Sequence, residues 1–131
     1  MALLLSVHGL VVRGDGRGRQ IGFPTANLDL QNCTVKNFEL GIYAAITTIN
    51  KNKYKSALHI GPASTFGKQK ITFEVFILDF DQDIYDLIIE VDVVQKIRAT
   101  VKFNSVNELI IQMNKDVERS REILSQFNLT G

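Results

Sequence analysis

The densest run of chemistry-bearing residues lies between Gly14 and Asn27, GDGRGRQIGFPTAN. Gly14, Gly16 and Gly18 stand at alternate positions, and Gly22 follows. Glycines spaced this closely let backbone N–H groups approach a bound anion where side chains would block it. Arg13, Arg17 and Arg19 add permanent positive charge, with forked donors that match phosphate oxygens. Phe23-Pro24 then stiffens the chain, after which Thr25 and Asn27 present a hydroxyl and an amide from one side of an extended segment. Two neutral oxygens suit Mg²⁺, which keeps most of its shell as water and phosphate. They discriminate poorly against Mn²⁺ or Zn²⁺. The run contains neither a Walker loop nor a GxGxxG spacing. A glycine- and arginine-rich surface turn with solvated charges fits the same residues, and the residues alone leave the two readings even.

Glu74 is the second signal, in the middle of the apolar run ITFEVFILDF. Strand alternation places Thr72, Glu74 and Phe76 on one face and Phe73, Val75 and Ile77 on the other. A buried, unpaired carboxylate there would cost several kcal/mol, so Glu74 is paired, solvated or functional. Partly desolvated in a cleft, it would serve as a general base. By residue pattern alone, an outward Glu on a solvated strand face is favoured. Asp79, Asp81, Asp83 and Glu90 match EF-hand spacing, but Ile84 stands where that loop needs glycine and strand-like runs flank it. The segment is therefore read as a polar hairpin turn. His8 and His59 lie inside strand-like runs without a partner motif and are read as packed or hydrogen-bonded residues.

The elements that must position these groups are mostly strands. Runs rich in β-branched and aromatic residues occupy 3–12, 42–49, 54–60, 71–80 and 87–97, bounded by turn residues. Pro24 and Pro62, each beside a glycine or a glycine-containing turn, are read as loop positions. From Ser105 the period changes: Val106, Leu109, Ile110, Met113, Val117, Leu124 and Phe127 form a helical stripe, and Ser105 with Glu108 makes a capping box. The helix is expected over about 105–126, covering the wall or one end of a sandwich or closed barrel of five or six strands.

Composition narrows the class. A chain of 131 residues with 45% apolar and 22% charged residues suits one globular domain, 1–131. A single cysteine, Cys33, excludes an intrachain disulfide and a thiolate zinc cage, which points to a reducing, cytoplasmic setting. A net charge of +1 argues against nucleic acid as a general partner. The opening MALLL is too short for a signal core or a membrane span.

GDGRGRQIGFPTANL resembles the signature of riboflavin kinases, which pairs a glycine-rich RGR segment with a PTAN tetrapeptide. The resemblance continues in order through GIYAA, IGPASTF, FEVFILDFDQDIYD, KIRATVKF and NELIIQMNKD. It is closer to the bacterial form than to the animal one, judging by the short interval from Glu74 to Phe80. It implies a mainly β fold, a six-stranded antiparallel Greek-key barrel with a C-terminal helix packed on it. The implied activity is transfer of the ATP γ-phosphate to the ribityl 5′-hydroxyl of riboflavin, giving FMN and ADP. Thr25 and Asn27 match the pair that binds Mg²⁺ and nucleotide phosphate, and Glu74 matches the catalytic carboxylate. Gly14, Gly16, Arg17 and Gly18 match the loop that closes over ATP, and Tyr85 matches a tyrosine near the nucleotide. Arg98 and Phe103 match the flap that contacts the flavin. The resemblance implies a monomer or a part of a larger bifunctional chain, because many bacterial relatives also carry an N-terminal adenylyltransferase domain that this chain does not encode.

Three positions depart from the family pattern: Ser64 for proline, Asp86 for glycine and Thr100 for an acidic residue. They motivate a competing reading, a flavin-binding barrel of weak or no activity acting as a sensor or carrier. An oligonucleotide-binding barrel is disfavoured by the absence of Trp and the near-zero charge.

Overall fold

Alternation along each run decides which side turns inward. Val7 and Val11, Leu58 and Ile60, Phe73 and Val75 face a common core and are almost wholly buried, while their strand neighbours point outward. The computed structural model describes residues 5–13, 22, 24–30, 39–65 and 68–127, with 62–65 and 68–70 described as backbone. Its elements are β1 (Leu5–Val12), β2 (Ala26–Leu30), β3 (Gly41–Ile49), β4 (Asn52–Thr65), β5 (Lys68–Ile77), β6 (Ile88–Arg98) and the helix α1 (Val106–Leu124).

The strands close into a barrel in the order β1-β2-β5-β4-β3-β6, with every pair antiparallel. Strands β3, β4 and β5 follow one another as neighbours and β6 returns beside β3, the Greek-key arrangement. Closure removes both sheet edges and leaves one continuous inner core. Two polar side chains inside it satisfy each other: the Thr47 and Ser56 hydroxyls are 2.8 Å apart, and Ser56 donates to the Ala45 carbonyl at 3.0 Å.

The barrel has the six strands expected, and β2 holds Asn27 from the segment read as extended. Two features differ from the sequence expectation. Pro62 lies within β4, paired with Ile71, rather than in a loop. The β3 ladder ends at Gly41 opposite Ile60, so beyond that point β4 has β5 as its ladder neighbour. A residue without an N–H is tolerated where one side of a strand has no partner. Strand β5 also ends at Ile77, and Phe80 packs edge-on against Tyr54 with ring centres 4.9 Å apart.

Helix α1 starts as its cap predicts: Ser105 Oγ accepts from the Glu108 N–H at 3.1 Å. The Glu108 carboxylate returns to the Asn104 N–H at 3.1 Å, one residue earlier than a capping box requires. The helix lies on the outer wall over β3, β4 and β6, where Ala44, Ile46 and Val94 form a second core with Ile123 and Leu124. Val106, expected in the buried stripe, is exposed, whereas Asp116 and Ser120 are buried. The stripe therefore turns polar in the middle. Among the described residues, no helix is long and apolar enough to cross a membrane.

Candidate active site

Among the described residues singled out by type, Asn27, Glu74 and His59 stand on the outer wall rather than inside the barrel. Asn27 on β2 pairs with Glu74 on β5, and Glu74 pairs with His59 on β4. The row continues at both ends: Val12 on β1 opposes Asn27, Ile42 on β3 opposes His59, and Arg98 on β6 opposes Ile42. All these side chains share the outward face. Adjacent strands are about 4.8 Å apart, so the four ladder steps from Asn27 to Arg98 cover about 19 Å of curved wall.

This row is oblique to the barrel axis. Strand β1 also pairs directly with β6, but there Leu10 meets Ile88, at the opposite end of β6 from Arg98. One circuit therefore climbs much of the barrel, as strand tilt in a closed sheet requires. The lower end of the row adjoins Arg13 and Tyr85, whose guanidinium and ring stack at 4.5 Å. Hydrogen bonds from the Asp86 N–H to the Val11 carbonyl and from the Val11 N–H to the Leu87 carbonyl hold that loop against β1. The upper end adjoins Arg98 and Phe103 at the exit of β6. Glu74 stands between the two.

Glu74 keeps 27% of its side chain exposed, and its Oε2 lies 3.4 Å from His59 Nδ1. It is neither stranded in the core nor fully solvated. Thr25 and Asn27, two residues apart at the entry to β2, are half-buried beside it. Among the described residues there is no group of three or more His, Cys, Asp or Glu side chains that could hold a metal ion. The donor set offered is thus a hydroxyl and an amide next to one carboxylate, which fits a hard cation held mainly by phosphate and water.

At the upper end Arg98 is locked. Its Nε and Nη2 donate to the two Asp116 oxygens at 2.8 and 2.7 Å, and Nη1 donates to the Ala99 carbonyl at 3.1 Å. Gln112 adds a bond to Asp116 at 3.0 Å. Both members of the pair are largely buried, at 19% and 7% exposed, so each compensates a charge the other could not leave unpaired. The β3–β6 register shifts twice on the way to Arg98, between Ala44 and Ala45 and between Ile42 and Tyr43. The Phe103 ring lies 5.8 Å from the Arg98 guanidinium.

The model of the riboflavin kinase (flavokinase) family matches residues 2–124. This chain belongs to that family. It is 36% identical to a Bacillus subtilis bifunctional riboflavin kinase/FMN adenylyltransferase over 92% of this chain and 39% of the relative. It is 35% identical to a B. subtilis RNA-binding riboflavin kinase, RibR, over 95% of this chain and 52% of that protein. The chain spans about two-fifths of the length of the bifunctional relatives it matches. A solved riboflavin kinase from Trypanosoma brucei shares the fold with TM-score 0.64 and 25% identity, covering 95% of this chain and 82% of its own. A Streptococcus pneumoniae structure described as a macrolide-efflux protein gives TM-score 0.82 at 40% identity, covering 89% of this chain and 38% of its own.

Within this family member the expected site residues fall into three groups. Asn27 and Glu74 are ladder partners on β2 and β5, and Thr25 directly precedes β2. Tyr85 and the pair Arg98–Phe103 lie at opposite ends of the row. Gly14, Gly16, Arg17 and Gly18 lie outside the described residues. Asp86, which replaces a family glycine, adopts φ +69°, a left-handed conformation that explains why glycine suits the position. The EF-hand-like spacing forms no cage: Asp79 bonds Arg121 at 2.8 and 3.0 Å, Asp83 accepts from the Tyr85 N–H at 3.0 Å, and Glu90 lies beside His8 on β1.

One residue, Asp116, escaped the sequence reading, and His59 was read only as packed or hydrogen-bonded. His59 lacked a motif, yet the β4–β5 register sets it against Glu74. Its outward parity, opposite Leu58 and Ile60, was a readable sign that it is not packed in the core. Asp116 was hidden in the helical stripe, where an acidic residue on the buried side is itself a signal that a cation faces it.

Proposed function

We propose that this chain is an ATP:riboflavin 5′-phosphotransferase that forms FMN and ADP. The observation that carries the reading is the outer row, with Glu74 between Asn27 at the nucleotide-side end and Arg98–Phe103 at the other. An extended substrate laid along it, flavin ring toward Phe103 and ribityl chain toward Glu74, brings a terminal hydroxyl to the carboxylate and a phosphate to Asn27.

In this reading Glu74 accepts the proton of the ribityl 5′-hydroxyl as its oxygen bonds to the γ-phosphorus. The bond from that phosphorus to the β–γ bridging oxygen breaks in line, and ADP leaves. Positioning supplies much of the acceleration, and general-base help is worth on the order of 10²–10⁴ in rate. Thr25 and Asn27 would hold Mg²⁺, which neutralises charge on the transferring phosphoryl group when bound. Arg98, its fork taken up by Asp116, holds the 99–104 segment in place and offers the Phe103 ring to the flavin.

Incubation with riboflavin and Mg·ATP, with FMN followed by chromatography, tests this. FMN from the wild type and a drop of about 10²–10⁴ in kcat for Glu74→Gln are expected. Thermal stabilisation by riboflavin without FMN formation would replace this reading with a binding barrel.

A further inference from the structure

We infer that His59 is a positioning residue for Glu74, donating from Nδ1–H to the carboxylate, and that Gly61 exists to seat its ring. The inference rests on the phosphotransferase reading and adds to it a residue that touches the base rather than the substrate.

Three observations converge. His59 and Glu74 are direct ladder partners on the outward face, the pairing in which side chains of neighbouring strands lie closest. Their polar atoms are 3.4 Å apart, at the long end of hydrogen bonding, as is common at a catalytic site before substrate tightens it. The third lies two residues along β4. A Cβ on Gly61 would sit 2.6 Å from His59 Nε2 and 2.9 Å from Cε1. The Nε2 edge of the ring therefore occupies the space that a side chain at position 61 would fill and that glycine leaves open. That edge is pinned there while Nδ1 is aimed at Glu74.

Along the row, the groups flanking the pair are uncharged or already engaged. Asn27 flanks Glu74 on β2, and Ile42 flanks His59 on β3. Thr72, on the outward face of β5, gives its hydroxyl to the Gly61 carbonyl at 3.2 Å. The nearest cation along the row, Arg98, is consumed by Asp116. A carboxylate free to rotate presents its lone pairs to the substrate hydroxyl for part of the time. One tethered at Oε2 leaves Oε1 fixed for that task.

The test compares His59→Leu, His59→Asn and Gly61→Ala with wild type in FMN formation, each checked for an unchanged melting temperature. His59→Leu should lower kcat about ten- to a hundredfold, the range of a hydrogen bond to a charged group, with KM for riboflavin and ATP unchanged. His59→Asn, whose amide N–H overlays Nδ1–H, should restore most of the rate. Gly61→Ala should lower kcat by displacing the ring. In a Glu74→Gln background, His59→Leu should add little. Wild-type kcat in His59→Leu, or Asn failing as completely as Leu, overturns the inference while leaving the phosphotransferase intact. Absence of FMN from the wild type overturns both. Independently of activity, the His59 ring should be the Nδ1–H tautomer by ¹⁵N NMR, and an Nε2–H ring overturns the donor role.

Discussion

Over β3 and β6 the outer wall carries Ala44, Ile46 and Val94, and α1 lies across them. Along the row from β2 through β5 to His59 on β4, a strand that α1 also meets, it carries Asn27, Glu74 and His59, half-open to solvent. Both halves are the same face of the same closed sheet. The inner face alone suffices to close the barrel, so an outward residue answers to packing only where another element covers it. The helix-covered half is built for burial, with small and branched side chains and one satisfied ion pair. The uncovered half spends its outward positions on an amide, a carboxylate and an imidazole. Polar groups in register on an exposed wall are cheap to keep, which makes them available for chemistry.

This contrast is sharpest at Glu74. Glu74→Gln should remove about 10²–10⁴ of the rate while leaving the melting temperature within a degree or two of wild type. A large loss of stability would mean that the open half is structural as well. Asp116→Ala is the converse. It strands the Arg98 guanidinium against the helix-covered wall and should cost about 3–5 kcal/mol in urea unfolding, before any effect on turnover is read. Thr25→Ala should weaken the apparent Mg²⁺ affinity by about 10–100-fold, measured by metal titration of FMN formation. A flat metal response in that variant would remove Thr25 from the site.

Two smaller effects probe the covered half. Ser120 is a fully buried residue of α1, and its hydroxyl has no hydrogen-bond partner among the described residues. Ser120→Ala should therefore raise stability, by about 1 kcal/mol. Destabilisation would reveal that the hydroxyl is engaged. The bond from Arg121 holds the Asp79 carboxyl below the usual carboxylate range. Its folded-state pKa being depressed, the pair contributes above the unfolded carboxylate pKa of about 4 and is lost as pH falls through the lower folded value. Exposure limits the gain, so Asp79→Asn should cost less than about 1 kcal/mol at neutral pH. That difference should vanish in acid, as followed by thermal melts against pH.

The first core was readable in the sequence because strand alternation is local: Phe73, Val75 and Ile77 announce an inward face without reference to any other strand. The helix start was readable for the same reason, since Ser105 and Glu108 act within one turn. Where several local readings competed, tertiary context decided. Val106 keeps the helical period but stays exposed, while Asp116 and Ser120 keep it with polar side chains and are buried. Pro62 was a loop by its own chemistry and a strand residue because its neighbour β3 had already ended. Strand β2 was read only as an extended segment and not as an apolar run, because its alternation spans just five residues.

By itself the sequence determined the elements, the inward faces and the residue types capable of phosphate, metal and proton chemistry, because each depends on groups close together along the chain. It also carried the family signature, from PTAN to the final helix. Only the tertiary structure decided that Asn27, Glu74 and His59 stand side by side, that Arg98 is spent on Asp116, and that Gly61 makes room for an imidazole. Those facts depend on ladder register across strands far apart in sequence. Shifting a register by one residue would send the same side chains to the other face, and no local pattern records that choice.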